Sequence, residues 1–415
     1  MIDLLIIRAE IFTSDGKLKK GEKLKEVKHL SDYGIAVKDG IITDIGKTED
    51  MLKKYHRQAK EILDAGGKAL IPGFVDPHTH AVFTGSREQE FKMRLEGKSY
   101  MEILQAGGGI LNTLKKVREA SLDELVIELK KRVRLFFAYG TTTFEAKSGY
   151  GLNFDDEIKM LKAIQIVNSE TDAEIIPTFI GAHAIPPEYK DNKEKYIEKL
   201  INEIIPYVAE NKLAEFIDVF CEKGVYTAGE TLKILKAGEK YGLKPKMHAD
   251  EIESIGCSEL AEKLKIYSCD HLLKIKKSGI EAMKKGDTIA TLLPGTAFSL
   301  KEPFANAREL IDNGLAVALA TDCNPGSSFS ESMPQIITLA VLMMNMLPKE
   351  ALNAATINAA YAIDKQNKLG SIEIGKQADF VILKEKSYLF IPYHYGVNPI
   401  WKTFKRGKCV STADY

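Results

Sequence analysis

The sequence predicts an α/β chain. A (β/α)₈ TIM barrel over residues 69–370 carries a small composite β-sandwich domain built from both chain ends, residues 1–68 and 371–415. Three observations predict this. Eight short apolar runs recur through the middle, each followed by polar residues and then a stretch of helical period, and that alternation implies parallel βαβ units closing into a barrel. Both ends of the chain are rich in strand-forming residues. Polar clusters after several runs are crowded with His and Asp, where a barrel places its site.

In chain order, Leu4-Leu5-Ile6-Ile7 reads as a strand, and residues 35–42 read as strand, Asp39-Gly40 turn, strand, a hairpin signal. The barrel strands fall at 69–75, 141–145, 174–180, 216–221, 244–247, 266–269, 288–293 and 315–320. Ser121 with Glu124 forms a capping box, after which Leu122, Leu125, Val126, Leu129, Val133 and Phe136 share one helical face. The longest apolar stretch, 336–347, is broken by Thr338 and Asn345 and closed by Pro348. It is too short to span a membrane and reads as a buried helix. Ala378 to Leu383 is a last strand.

Composition narrows the function classes. The 415 residues carry 58 Lys+Arg against 58 Asp+Glu, so the net charge is zero and no general affinity for nucleic acid or acidic membrane is expected. Cysteines stand at 221, 257, 269, 323 and 409 without a CxxC pair. Their odd number fits reduced thiols in a cytoplasm. Asp3 interrupts the first apolar residues, which argues against a secretory signal.

The ends of the predicted strands hold the chemistry. The first run leads into Asp76-Pro77-His78-Thr79-His80, and two His one residue apart share a strand face. The third run ends in Gly181-Ala182-His183, the fifth in His248-Ala249-Asp250-Glu251, the sixth in Cys269-Asp270-His271, and the eighth in Thr321-Asp322-Cys323-Asn324. Five of the eight histidines therefore sit on one barrel rim, while His29, His56 and His394 lie in the terminal segments. Any one of these alone reads more often as a satisfied polar residue, a cap or a turn residue than as a ligand. Together, His78, His80, His248 and Asp322 are three imidazoles and a carboxylate, a set that suits one divalent ion, Zn²⁺ or Fe²⁺.

Such an ion with an open position lowers the pKa of a bound water to about 7. Glu251, three residues past His248, stands near the ion without ligating it and is placed for general acid–base work. His271 is suited to orient the water or polarise a carbonyl. For His183, substrate contact and a structural role are equally open. Arg87 lies within loop reach of the rim, and its guanidinium matches a carboxylate. Tyr150 follows Gly149 in a loop that suits either a hydroxyl aimed into the site or a packed aromatic, and the Asn324-Pro325-Gly326 turn reads either as backbone N–H groups offered to a carboxylate or as a plain turn. Gly107-Gly108-Gly109 lacks the Lys-Ser/Thr of a phosphate loop and reads either as backbone lining or closing the site or as a plain loop.

These motifs together resemble the amidohydrolase superfamily. HxH follows the first strand, His the fifth and sixth, Asp the eighth, and Gly370-Ser371-Ile372-Glu373-Ile374-Gly375-Lys376-Gln377-Ala378-Asp379 is also similar. His248 and Glu251 form HxxE, and no bridging Lys or Glu is evident after the fourth strand although Glu222 stands nearby, which is similar to mononuclear members. The run from Pro72 to His80 continues through Ala81-Val82-Phe83 to Gly85-Ser86-Arg87. Tyr100-Met101-Glu102-Ile103, Ala106 to Ile110, Glu145 to Leu152 and Gly181-Ala182-His183-Ala184 extend the likeness to the ring-opening hydrolases of histidine degradation, over nearly the whole chain.

That resemblance implies hydrolysis of the cyclic amide C–N bond of 4-imidazolone-5-propanoate by water to N-formimidoyl-L-glutamate. It implies one Zn²⁺ or Fe²⁺ per subunit on His78, His80, His248 and Asp322, with Glu251, His271 and Asp322 catalytic. Arg87, Tyr150, His183 and Glu251 match substrate-contacting positions, and Asn324, Gly326 and Ser327 match positions that contact the open chain. It further implies a homodimer. Two other readings stand beside it: a deaminase of the same superfamily acting on a nucleobase-like ring, and a non-enzymatic scaffold used for oligomeric interaction.

Overall fold

The structure is a computed structural model that describes residues 1–98, 102 and 107–413. Tyr100, Met101, Ile103 and Ala106 of the motifs above lie outside the described residues. The chain ends pool into one mixed sheet of eight strands: β1 (Ile2–Thr13), β2 (Lys28–Lys38), β3 (Ile41–Lys47), β4 (Ala59–Asp64), β5 (Ala69–Pro72), β14 (Phe380–Leu383), β15 (Ile400–Lys405) and β16 (Lys408–Thr412). Asp39 and Gly40 join β2 to β3 with φ of 52° and 77°, the left-handed pair that a two-residue hairpin requires. β14, from the second end, pairs with β5, from the first.

The barrel strands are β6 (Phe74–Asp76), β7 (Thr141–Lys147), β8 (Glu174–Ala182), β9 (Phe216–Cys221), β10 (Lys244–Ala249), β11 (Ser268–His271), β12 (Ile289–Leu292) and β13 (Val317–Leu319). They pair in sequence order, all parallel. Helices cover the outer face, so the strands are buried almost throughout. β6 and β13 are three residues each, too short to zip together along their length. The seam closes just beyond them instead. Thr79 bridges Cys323, Asp322 N–H donates to the His78 carbonyl at 3.1 Å, and His80 N–H to the Cys323 carbonyl at 3.0 Å. Closing the barrel therefore brings His78, His80 and Asp322 to one place.

Two sequence expectations need correction. The run 69–75 is two strands, because Gly73 passes the chain from the end sheet into the barrel. Its N–H bonds Asp379 O at 3.0 Å, and a Cβ there would lie 2.5 Å from Thr142 Oγ1. Nor are all five thiols reduced: Cys221 and Cys257 form a disulfide, with Cα atoms 6.0 Å apart and 36 residues of separation, while Cys269, Cys323 and Cys409 are free. Spacing in the chain could not reveal the pair, because it joins the end of β9 to the loop after the neighbouring strand β10.

The capping box at Ser121 and Glu124 starts helix Leu122–Ala138 as expected, burying Leu125, Leu129, Val133 and Phe136. The apolar stretch 336–347 supplies most of helix Met333–Met343, whose Leu342 and Met343 emerge at its end. Among the described residues no helix is long and apolar enough to cross a membrane.

Candidate active site

The His and Asp residues at the strand ends converge on one side of the barrel mouth. His80 Nε2 lies 3.2 Å from His248 Nε2, and Asp322 Oδ1 lies 3.5 Å from His78 Nε2 and 3.8 Å from His80 Nε2. Donors about 2.1 Å from a tetrahedral ion stand about 3.4 Å from one another, so these separations fit one ion. Among the described residues the buried His78 Nε2 has no hydrogen-bond partner, as expected of a lone pair reserved for a metal. Burial holds the pKa values of His78 and His80 well below the ordinary histidine value, which keeps both rings neutral and able to ligate. His78 and His248 with His271, and His80 and His248 with His183, also form groups spaced for an ion. The fit is thus a cluster of five imidazoles around one corner.

Behind this corner lies a ring of charge inside the barrel. His78 Nδ1–H donates to Asp270 Oδ2 at 2.5 Å, and His248 Nδ1–H to Asp218 Oδ1 at 3.2 Å. Each carboxylate thereby turns the other ring nitrogen, Nε2, toward the shared centre. Burial opposes charge on His248, yet Asp218 raises its pKa above the usual value and so makes it a stronger ligand. Lys147 Nζ stands 2.6 Å from Asp218 and 2.8 Å from Glu145, and Lys246 Nζ 2.8 Å from Glu145 and 2.6 Å from the Pro77 carbonyl. All five charged side chains are fully buried.

Three strand ends leave the sheet in left-handed backbone: Asp250 at φ 53°, His271 at 78° with Leu272 at 62°, and Asp322 at 52°. Such strain gathers where side chains must be aimed rather than packed. Past Asp250, Glu251 enters the cavity and comes within 3.5 Å of His271 Nδ1. Burial pushes the Glu251 carboxyl up to about 7 and the His271 imidazole down to about 4. The loop carrying Glu251 is clamped to the end of β9. Glu222 accepts the N–H groups of Ile252 at 2.9 Å and Glu253 at 3.0 Å, and the Cys221–Cys257 disulfide holds the far side.

A cavity of about 690 Å³ opens above this corner, lined among others by Arg87, Tyr150, His183, Glu251 and Ser327. His183 stacks on His80 with ring centroids 4.7 Å apart, and its Nδ1–H donates to the Gly149 carbonyl at 3.0 Å. That leaves Nε2 as the acceptor, and burial holds the ring at about 3. A Cβ on Gly149 would lie 2.9 Å from His183 Nδ1, and its φ of 93° also calls for glycine. Tyr150 is buried beside both histidines, with ring centroids 5.8 and 5.5 Å away.

Arg87 also lines the cavity, held by Glu90 at 2.7 Å. Its Nη1 packs so close to Gly326 that a Cβ there would sit 2.3 Å away. Glu90 also accepts Gly109 N–H at 2.9 Å and Asn112 Nδ2–H at 2.9 Å, tying the glycine-rich segment to Arg87. The turn after Asp322 departs from expectation. Gly326 and Ser327 donate their N–H groups to Asn324 Oδ1, each at 2.8 Å, so these donors serve the turn itself. Asn324, Gly326 and Ser327 nonetheless line the cavity.

Sequence reasoning missed Glu145, Lys147, Asp218, Lys246 and Asp270, along with Glu90 and Arg94, which also line the cavity side. A signal existed for the first five: charged residues interrupt strand runs that a parallel barrel otherwise fills with apolar side chains.

The model of the amidohydrolase family matches residues 69–413. An imidazolonepropionase of Clostridium tetani (strain Massachusetts / E88) is 48% identical over 408 residues, covering 98% of this chain and 97% of that one. The imidazolonepropionase of Shouchella clausii (strain KSM-K16) is 49% identical over 396 residues, covering 95% and 89%. Among solved structures, E. coli guanine deaminase superposes with a TM-score of 0.76 at 15% identity over 100% of both chains. An adenosine deaminase from Xanthomonas campestris with bound zinc gives 0.74 at 15% over 98% and 92%. At that identity the deaminases speak for the fold alone.

Proposed function

The chain belongs to the amidohydrolase family, and on that premise, with its likeness to the imidazolonepropionases, we propose that it hydrolyses 4-imidazolone-5-propanoate to N-formimidoyl-L-glutamate. The observation that carries the reading is one cavity lined both by a metal-type His/Asp corner and by the guanidinium of Arg87. A ring with a propionate tail needs both ends. A neutral nucleobase has no use for the second, and this favours the ring-opening hydrolase over the deaminase.

His78, His80, His248 and Asp322 would hold the metal, Zn²⁺ or Fe²⁺ by their ligand types. When bound, it supplies a water activated at neutral pH and polarises the carbonyl. Arg87 pairs with the propionate and fixes the ring's direction, and Tyr150 and His183 flank the ring. Glu251 accepts the proton of the attacking water and delivers it to the ring nitrogen as the C–N bond breaks. His271, held at about 4, is neutral at pH 7. It therefore serves as a hydrogen-bond partner of the carbonyl rather than as a proton source. Thr296 Oγ1 donates to Asp322 Oδ2, keeping that carboxylate turned toward the corner and in place to assist the water. Asn324, Gly326 and Ser327 flank the new carboxylate of the opened chain as a cavity wall, their turn N–H groups being held by Asn324 Oδ1.

The homodimer belongs to the same reading. Leu342 and Met343 at the end of helix Met333–Met343, and Leu389 and Tyr393 at either end of the helix Phe390–Tyr393 packed against it, are exposed, and this supports a second copy as their cover. Sedimentation at micromolar concentration tests it: a monomer overturns the assignment. The activity is tested with fresh 4-imidazolone-5-propanoate, following loss of the ring chromophore with and without chelator. Rapid, chelator-sensitive turnover is expected. No turnover by metal-loaded protein, with ammonia released from a neutral base, overturns the reading for the deaminase.

A further inference from the structure

We propose that Lys147 is a positioning residue for the metal corner, acting on two of its imidazoles at once through Asp218 and Asp270. The inference rests on the metal reading above. Lys147 ends β7 and is fully buried, and a buried ammonium is strongly destabilising unless it is paired. Its Nζ lies 2.6 Å from Asp218 Oδ2 and 3.8 Å from Asp270 Oδ2. Asp218 is on β9 and Asp270 on β11, on either side of the β10 strand that carries His248. Asp218 holds His248 Nδ1, and Asp270 holds His78 Nδ1. Lys147 therefore pairs directly with Asp218 and shares Asp270 with Lys246 at 3.8 and 3.9 Å, and each carboxylate fixes one ring with Nε2 toward the ion.

Two other fully buried lysines, Lys246 and Lys405, do not pair with Asp218. Lys246 bonds Glu145 and the Pro77 carbonyl, and its Nζ is 3.9 Å from Asp270. Lys405, in the end sheet, pairs with Asp379 at 2.5 Å and Glu174 at 2.9 Å, and no imidazole hangs on either carboxylate. Without the Lys147 ammonium, Asp218 loses its paired cation and Asp270 keeps only Lys246 at 3.9 Å. They then lose the directions that aim His248 and His78. Loss of such an outer partner typically weakens metal affinity about 10–100-fold.

The test uses full-length Lys147→Met and Lys147→Gln. Metal affinity is read by competition with a chromophoric chelator, and ligand geometry by the visible spectrum of the Co²⁺-loaded protein. Expected are folded variants with affinity weaker by about 10–100-fold and a shifted Co²⁺ band. Lys405→Met is the control for merely removing a buried lysine, with a lower Tm but wild-type metal affinity and spectrum. Folded Lys147 variants that bind metal as tightly as wild type, with an unshifted band, overturn the proposal. If neither Lys147 variant folds, Asp218→Asn decides, since it keeps the volume and removes the carboxylate through which Lys147 reaches His248. Weaker affinity supports the proposal and wild-type affinity overturns it. Failure of the wild type to take up stoichiometric metal overturns the metal reading itself, a separable result.

Discussion

Replacing Glu251 by Gln removes a proton acceptor while leaving the shape of the site unchanged. The carboxyl lies inside the cavity, and burial pushes it up to about 7. At pH 7 about half of it is ionised, poised to take a proton and to return one. Below that pH it holds its proton and cannot accept another, so kcat/KM of the wild type falls about tenfold per pH unit. A positioned general acid–base group is worth about 10²–10⁴ in rate, which is about 3–5 kcal/mol of barrier. His271 is the nearest substitute at 3.5 Å, but burial holds it at about 4, too weak a base to take over. The loss should therefore lie toward the upper end, about 10³-fold or more in kcat. The assay follows ring-chromophore loss from pH 5.5 to 9, with metal content measured on the same samples. The variant should keep its metal, lose turnover and lose the acid limb near pH 7. A kcat within tenfold of wild type at full metal content refutes the reasoning. So does an acid limb that persists at the same pH, because another group then owns that ionisation.

Arg87→Ala should raise KM for the propionate substrate by about 30-fold or more with a much smaller change in kcat, since a charge pair of this kind is worth about 2–5 kcal/mol; an unchanged KM places the tail elsewhere, with Arg94 the first alternative. Cys257→Ser should destabilise the protein by about 3–4 kcal/mol, the loop-closure value for a 36-residue separation, and a dithiol reductant should lower the wild-type Tm in parallel. A Tm indifferent to both shows that the bridge does not stabilise the fold. Glu222→Gln should lower kcat about tenfold with metal content intact, because the amide NH₂ cannot accept the Ile252 N–H and the Glu251 loop slips. Unchanged kcat means that the disulfide alone positions that loop.

The architecture was legible because it is written in local pattern. Eight apolar runs mark eight parallel strands, Asp39-Gly40 marks a hairpin, and Ser121 with Glu124 marks a helix start. His78, His80, His248, His271 and Asp322 were legible for a topological reason: in a parallel barrel every strand end points to the same rim. What local pattern cannot hold is a distance between residues far apart in the chain. Asp270 meets His78 across 192 residues, and Lys246 meets the Pro77 carbonyl across 169. Cys221 finds Cys257, and Asn324 turns its own carbonyl back on Gly326 and Ser327, spending the N–H groups that the turn seemed free to offer. Strand order determines which residues share the rim, and that order follows from hydropathy along the chain. Which of them touch, which ring nitrogen faces inward and which charge neutralises which are settled by packing. A charge buried inside the barrel is costly unless it is paired, so each must find its partner across the fold.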